Sequence, residues 1–85
     1  MKITLRFFAS VREQLGTSQE TLTVPVGVET VGAVRLLLLQ RGGVWASALA
    51  YDKSLRMAFT HGMCDPDTVI ADGGEVAFFP PVTGG

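Results

Sequence analysis

The residues that say most about chemistry are the last six, Pro80-Pro81-Val82-Thr83-Gly84-Gly85. Gly84 and Gly85 carry no side chain, so they can thread a channel too narrow for a Cβ and adopt backbone angles barred to other residues. The carboxylate of Gly85, read as the chain terminus, is sterically open. A carboxylate is a poor electrophile, so replacing one of its oxygens first requires activation, for instance as an acyl-adenylate. The sequence has no glycine-rich phosphate loop of its own. Activation is therefore expected from a separate, ATP-using enzyme.

Other reactive side chains are few. Cys64 is the sole cysteine, which excludes an internal disulfide and any cysteine-rich zinc or iron-sulfur site; it is either a sulfur relay or a bystander. His61 is the sole histidine, and no serine or cysteine stands at a motif that would make it a catalytic base. Asp65, Asp67, Asp72 and Glu75 lack calcium-loop spacing and are expected to be solvated loop carboxylates, with no metal bound.

The elements that must position the tail follow from periodicity. Glu75-Val76-Ala77-Phe78-Phe79 is a strand with Gly73-Gly74 as the turn before it, and Pro80 stops it because proline donates no ladder hydrogen bond. Pro80-Pro81 should leave the sheet as a stiff, extended spacer. Beyond it, four residues reach at most about 13 Å at about 3.3 Å each.

At the other end, Lys2 to Phe8 alternates, with Ile3, Leu5 and Phe7 on one face and Thr4, Arg6 and Phe8 on the other. Ser10 is expected to cap a short helical turn over Val11–Leu15, with Glu13 reaching back and Gly16 ending it. A second strand, Glu20 to Pro25, should pair antiparallel with the first. Thr30 is a good N-cap for a helix to about Arg41, ended by Gly42-Gly43, with Val31, Val34, Leu37 and Leu38 facing the sheet. Gly32 costs that helix about 1 kcal/mol relative to alanine, and close packing against a neighbour would justify it. Trp45 is expected in the core or as a lid over the helix end. Leu55 to Thr60 alternates as a third strand, and Thr60 to Gly74 is loop-rich, with a short strand at Thr68-Val69-Ile70.

A chain of 85 residues with 47% hydrophobic residues and mean hydropathy +0.33 has the means for one packed core. The net charge of -1 and the lack of a basic run argue against nucleic acid as a partner. The longest apolar run, Leu36 to Leu39, is far too short for a membrane span, and Met1-Lys2-Ile3-Thr4 carries no signal-peptide pattern, so a cytoplasmic protein without membrane attachment is expected.

The element order fits an α+β roll, a ubiquitin-like β-grasp in which a mixed sheet wraps one main helix. Arg6-Phe7-Phe8-Ala9 followed by Val11-Arg12-Glu13, then Asp72-Gly73, then Glu75 through Phe-Phe-Pro-Pro-Val-Thr-Gly-Gly, resembles the small, sulfur-carrier subunits of molybdopterin synthases. The resemblance implies a domain over residues 1–81 and a flexible Gly-Gly tail over 82–85. It also implies a chain that is no enzyme alone and binds no cofactor. An E1-like adenylating enzyme would activate Gly85 with ATP, and a sulfur donor protein would convert it to a thiocarboxylate. Residues Pro80, Pro81, Val82, Thr83 and Gly84 would then insert into a pocket of the large catalytic subunit, within a heterotetramer, and sulfur would pass to cyclic pyranopterin monophosphate to make molybdopterin.

Two loops depart from the resembled pattern: Thr60-His61-Gly62 stands where an Asn-containing turn is usual, and Gly73-Gly74 where Gly-Asp is usual. If Val76 and Phe78 face the core, Phe8 and Phe79 share the opposite face and, with Met63, form a docking patch; ordinary surface aromatics are the alternative. Other readings are a β-grasp carrier for thiamin or tRNA thiolation, against whose thiazole branch the Pro-Pro spacer argues, or a protein modifier joined to target lysines through Gly85.

Overall fold

A computed structural model describes residues 1–81; Val82, Thr83, Gly84 and Gly85, with the expected tail insertion and thiocarboxylate site, lie outside the described residues. The chain runs β1 (Lys2–Phe7), α1 (Ala9–Leu15), β2 (Gln19–Thr23), α2 (Val31–Leu39), α3 (Gly43–Ala48), β3 (Arg56–Phe59), β4 (Gly62–Cys64) and β5 (Glu75–Phe79). The strands form one sheet in the order β2-β1-β5-β3-β4. At its centre β1 and β5 pair in parallel, with Leu5 opposite Val76 and Phe7 opposite Phe78, and the other pairs are antiparallel. This is the mixed sheet expected from the element order.

One face of the sheet makes the core. Ile3, Leu5 and Phe7 of β1, Val76 and Phe78 of β5 and Met57 of β3 pack against Val11 of α1, Val31, Val34 and Leu38 of α2, and Ala48 and Leu49 at the end of α3. Phe7 and Phe78 lie nearly parallel, with centroids 6.4 Å apart, and Trp45 meets Phe7 edge-on at 5.6 Å. Trp45 is thus half-buried over the helix end, as its position suggested. Arg41 ties the same corner together by stacking on Trp45 at 4.4 Å and donating to both carboxylate oxygens of Glu20 on β2.

Helix α2 begins where its cap predicts: Thr30 Oγ1 accepts from the Ala33 N–H at 3.1 Å. Gly32 also finds its reason. Its N–H donates to the Pro66 carbonyl at 2.8 Å, and a Cβ built at Gly32 would sit 2.9 Å from that oxygen and 3.0 Å from the Pro66 Cβ. Gly32→Ala should therefore destabilise the domain by about 1–2 kcal/mol despite alanine's better helix propensity, because the obstacle is backbone. A urea midpoint that falls with an unchanged slope checks this, and a rise would contradict it.

Several expectations are corrected. Ser10 is not the cap of α1: Phe8 occupies that position, no side chain caps it, and the chain turns through Ala9 at φ 52° so that Val11 and Arg12 N–H donate to the Phe8 carbonyl. Glu13 consequently reaches back to nothing at the N-cap. Helix α2 ends at Leu39 with Gln40 as its C-cap, short of the expected Arg41, and Gly42-Gly43 instead opens α3, a helix absent from the periodicity reading. Leu37 is only half-buried, and Arg35 takes a core-facing place on the α2 stripe. Within the segment read as loop, Gly62–Cys64 forms β4, while Val69 makes only an isolated bridge to Thr30. The β3–β4 hairpin turns on Thr60 and His61, at φ 48° and 71°, a two-residue connection of the kind that ordinarily selects Asn-Gly.

Candidate functional site

The tail leaves the sheet beside a groove. Phe79, the last residue of β5, pairs with Arg56 of β3; Pro80 is half-buried and Pro81 exposed. Both prolines line a groove of about 330 Å³ together with Ser10, Glu13 and Gln14 of α1 and with Lys53 and Ser54. The two prolines hold the described end of the chain stiff where it leaves β5 beside α1.

The Lys53 side of the groove is held by a residue that periodicity did not flag. Arg35 is 7% exposed, and its guanidinium is satisfied by main-chain carbonyls: Nε–H donates to Leu49 O at 2.8 Å and Nη2–H to Ala50 O at 2.7 Å, with Lys53 O at 3.5 Å. Tyr51 stacks on it at 5.0 Å. Burial pulls its pKa below the ordinary guanidinium value, partly offset by Tyr51. A cation buried this well needs such acceptors, and the acceptors need it, so Arg35 fixes the Leu49–Lys53 segment that frames the tail base. Its signal in the sequence was its place four residues after Val31, on the buried stripe.

The outer face of the sheet carries the aromatic pair. Phe8 and Phe79 meet edge-on with centroids 6.3 Å apart, Phe8 being 39% exposed, and Ala77 and Ala58 lie in register between β1 and β4. Met63 is on the same face but two strands away from Phe79, opposite Ala58, and 60% exposed. The structure therefore brings Phe8 and Phe79 into contact and places Met63 on the far rim.

The remaining candidates take local roles. Cys64 points to the core side, and burial pushes its thiol pKa up, so the thiolate that a sulfur relay needs is disfavoured. His61 is exposed in the hairpin turn with Nδ1 3.6 Å from Glu75 Oε2. Asp72 accepts the Lys2 N–H, and Asp65 accepts the Asp67 N–H. Among the described residues no three His, Cys, Asp or Glu side chains converge as a metal site, and no helix is long and apolar enough to cross a membrane.

A parallel β1–β5 pair at the centre of a mixed sheet, one main helix in its concave face and a proline-stiffened exit from the last strand define a ubiquitin-like β-grasp domain. The chain belongs to the ThiS family, whose sequence model matches residues 5–85. It is 42% identical over 83 residues to the molybdopterin synthase sulfur carrier subunit of Escherichia coli, covering 98% of this chain and 99% of that one. Its backbone matches a chain in the complex of subunits 1 and 2 of the molybdopterin-converting factor from Helicobacter pylori, with 20% identity, full coverage of both and a TM-score of 0.70. It also matches the small archaeal modifier protein 1 of Haloferax volcanii, with 22% identity, 95% and 98% coverage and a TM-score of 0.74. At these identities the two structures speak for the fold alone.

Proposed function

We propose that this chain is the small, sulfur-carrying subunit of a cytoplasmic molybdopterin synthase. The observation that carries the reading is the 42% identity to the Escherichia coli carrier subunit along nearly all of both chains. The stiff Pro80-Pro81 exit beside the groove is its physical complement. An oxygen of the Gly85 carboxylate attacks the α-phosphorus of ATP on an E1-like partner, and pyrophosphate leaves. Hydrosulfide supplied by the donor protein then forms the C–S bond while the C–O bond to AMP breaks, leaving the thiocarboxylate and free AMP.

The resulting thiocarboxylate is a softer and better nucleophile than the carboxylate. It would enter the large subunit behind Val82, Thr83 and Gly84 and give its sulfur to cyclic pyranopterin monophosphate, and hydrolysis would return Gly85 to a carboxylate. The large subunit would dock against the sheet face carrying Phe8 and Phe79, with Met63 at the rim; the Helicobacter pylori structure is a complex of such a subunit pair. This chain contributes the aim and reach of the tail, and its partners contribute the chemistry.

Intact mass after incubation with ATP, the adenylating enzyme and a sulfur donor tests this reading. A gain of about 16 Da, one oxygen exchanged for sulfur, is the expected result. Covalent adducts to lysines of other proteins in place of that gain would favour a modifier and overturn it.

A further inference from the structure

Arg6 lies at the centre of the outer sheet face, and its guanidinium is left short of partners. Its Cζ sits 5.4 Å from the Phe8 ring centroid, in cation–π contact with one of the two aromatics proposed to dock. Its Nε is buried without a hydrogen-bond partner, and among the described residues no hydrogen bond from Nη1 or Nη2 appears either. The nearest anion, Glu75, is 3.6 Å from Nη1, too far for a hydrogen bond, and its other oxygen faces His61. With 37% of the side chain exposed and Nε sealed, the exposure lies on other atoms of the side chain.

Arg56, exposed and in register with Phe79, adds a second guanidinium to this face, and Glu75 is the carboxylate within 4 Å of Arg6. A partner that covers Phe8 must also cover the cation stacked on it. Removing that guanidinium from water with no better acceptor than Glu75 at 3.6 Å would oppose binding, whereas a partner carboxylate taking the terminal N–H groups side by side would turn the same residue into an anchor.

We infer that Arg6 is a specificity-determining docking residue whose guanidinium donates to a carboxylate of the large subunit at the centre of the interface. This rests on the docking face proposed above. In the free domain its Nε is a donor buried without a partner, which is what a group kept for an interface looks like.

The test is calorimetric binding of the full chain to its cognate large subunit at about 0.05 and 0.5 M salt, alongside thermal unfolding of each variant alone. Arg6→Leu is expected to weaken binding by roughly 30-fold or more and to flatten its salt dependence. Its unfolding midpoint should be no lower than wild type, since the orphan donor leaves with the residue. Arg6→Lys, a point charge without the planar fork, should fall between the two. Phe79→Ala should weaken binding while keeping the wild-type salt dependence. Unchanged affinity of Arg6→Leu, or an affinity loss that merely tracks a falling midpoint, overturns the role of Arg6. Wild-type affinity for Phe79→Ala, or no binding by wild type, overturns the docking face and the role of Arg6 with it.

Discussion

Deleting Gly85 is expected to stop sulfur loading while leaving the domain as stable as the full chain. The change draws the terminal carboxylate back by about 3.3 Å. Group transfer depends on reacting atoms held within a near-attack distance, and displacements as small as 1 Å can cost about 100-fold in rate. The proposed adenylation and sulfur transfer should therefore fall by at least that factor. Among the described residues the core is built from β1, β3, β5, α1, α2 and α3, and the last residue in the sheet is Phe79. Loading followed by intact mass, with a thermal midpoint within a few degrees of wild type, is the expected pair of results. Full loading of the shortened chain would refute the proposed role of Gly85.

Phe78→Ala should produce the opposite pattern, with a large loss of stability first and a loss of loading only as its consequence. Phe78 is fully buried, stacks on Phe7 and occupies the parallel β1–β5 seam. Removing a buried phenylalanine ring costs about 3–5 kcal/mol from lost transfer energy and the cavity left behind. A domain of this size has only about 4–13 kcal/mol in total, so the variant should unfold roughly 15 °C or more below wild type. Because Phe78 is two residues from Pro80, local loosening at this seam would also blur the direction in which the tail leaves the sheet. Denaturant titration measures the first effect; a loss under about 1 kcal/mol would mean that the seam repacks around the cavity.

Much of this architecture was legible one residue at a time. Alternation in β1 and β5 put Ile3, Leu5, Phe7, Val76 and Phe78 on one face and Arg6, Phe8 and Phe79 on the other, because side chains alternate strictly across a strand. The same local rules placed the Thr30 cap, Val31, Val34 and Leu38 on the buried stripe of α2, and the proline stop after Phe79. What the sequence by itself determined is thus the strand faces, the Thr30 cap of α2 and the proline stop after β5.

Tertiary structure alone decided the features whose causes lie far away in the chain. Helix α3 is six residues long and opens on a glycine, too short to persist without the core that Ala48 and Leu49 enter. Strand β4 exists because Thr60 and His61 accept positive φ, held by a hydrogen bond from the Thr60 N–H to the Glu75 carbonyl at 2.7 Å. Arg35 can be buried only where three carbonyls from the Leu49–Lys53 segment converge on it. Arg6 stands short of acceptors because β5 brings Glu75 near it and no nearer than 3.6 Å. Each depends on the free energy of contacts between residues distant in sequence, and a local pattern carries no record of those distances.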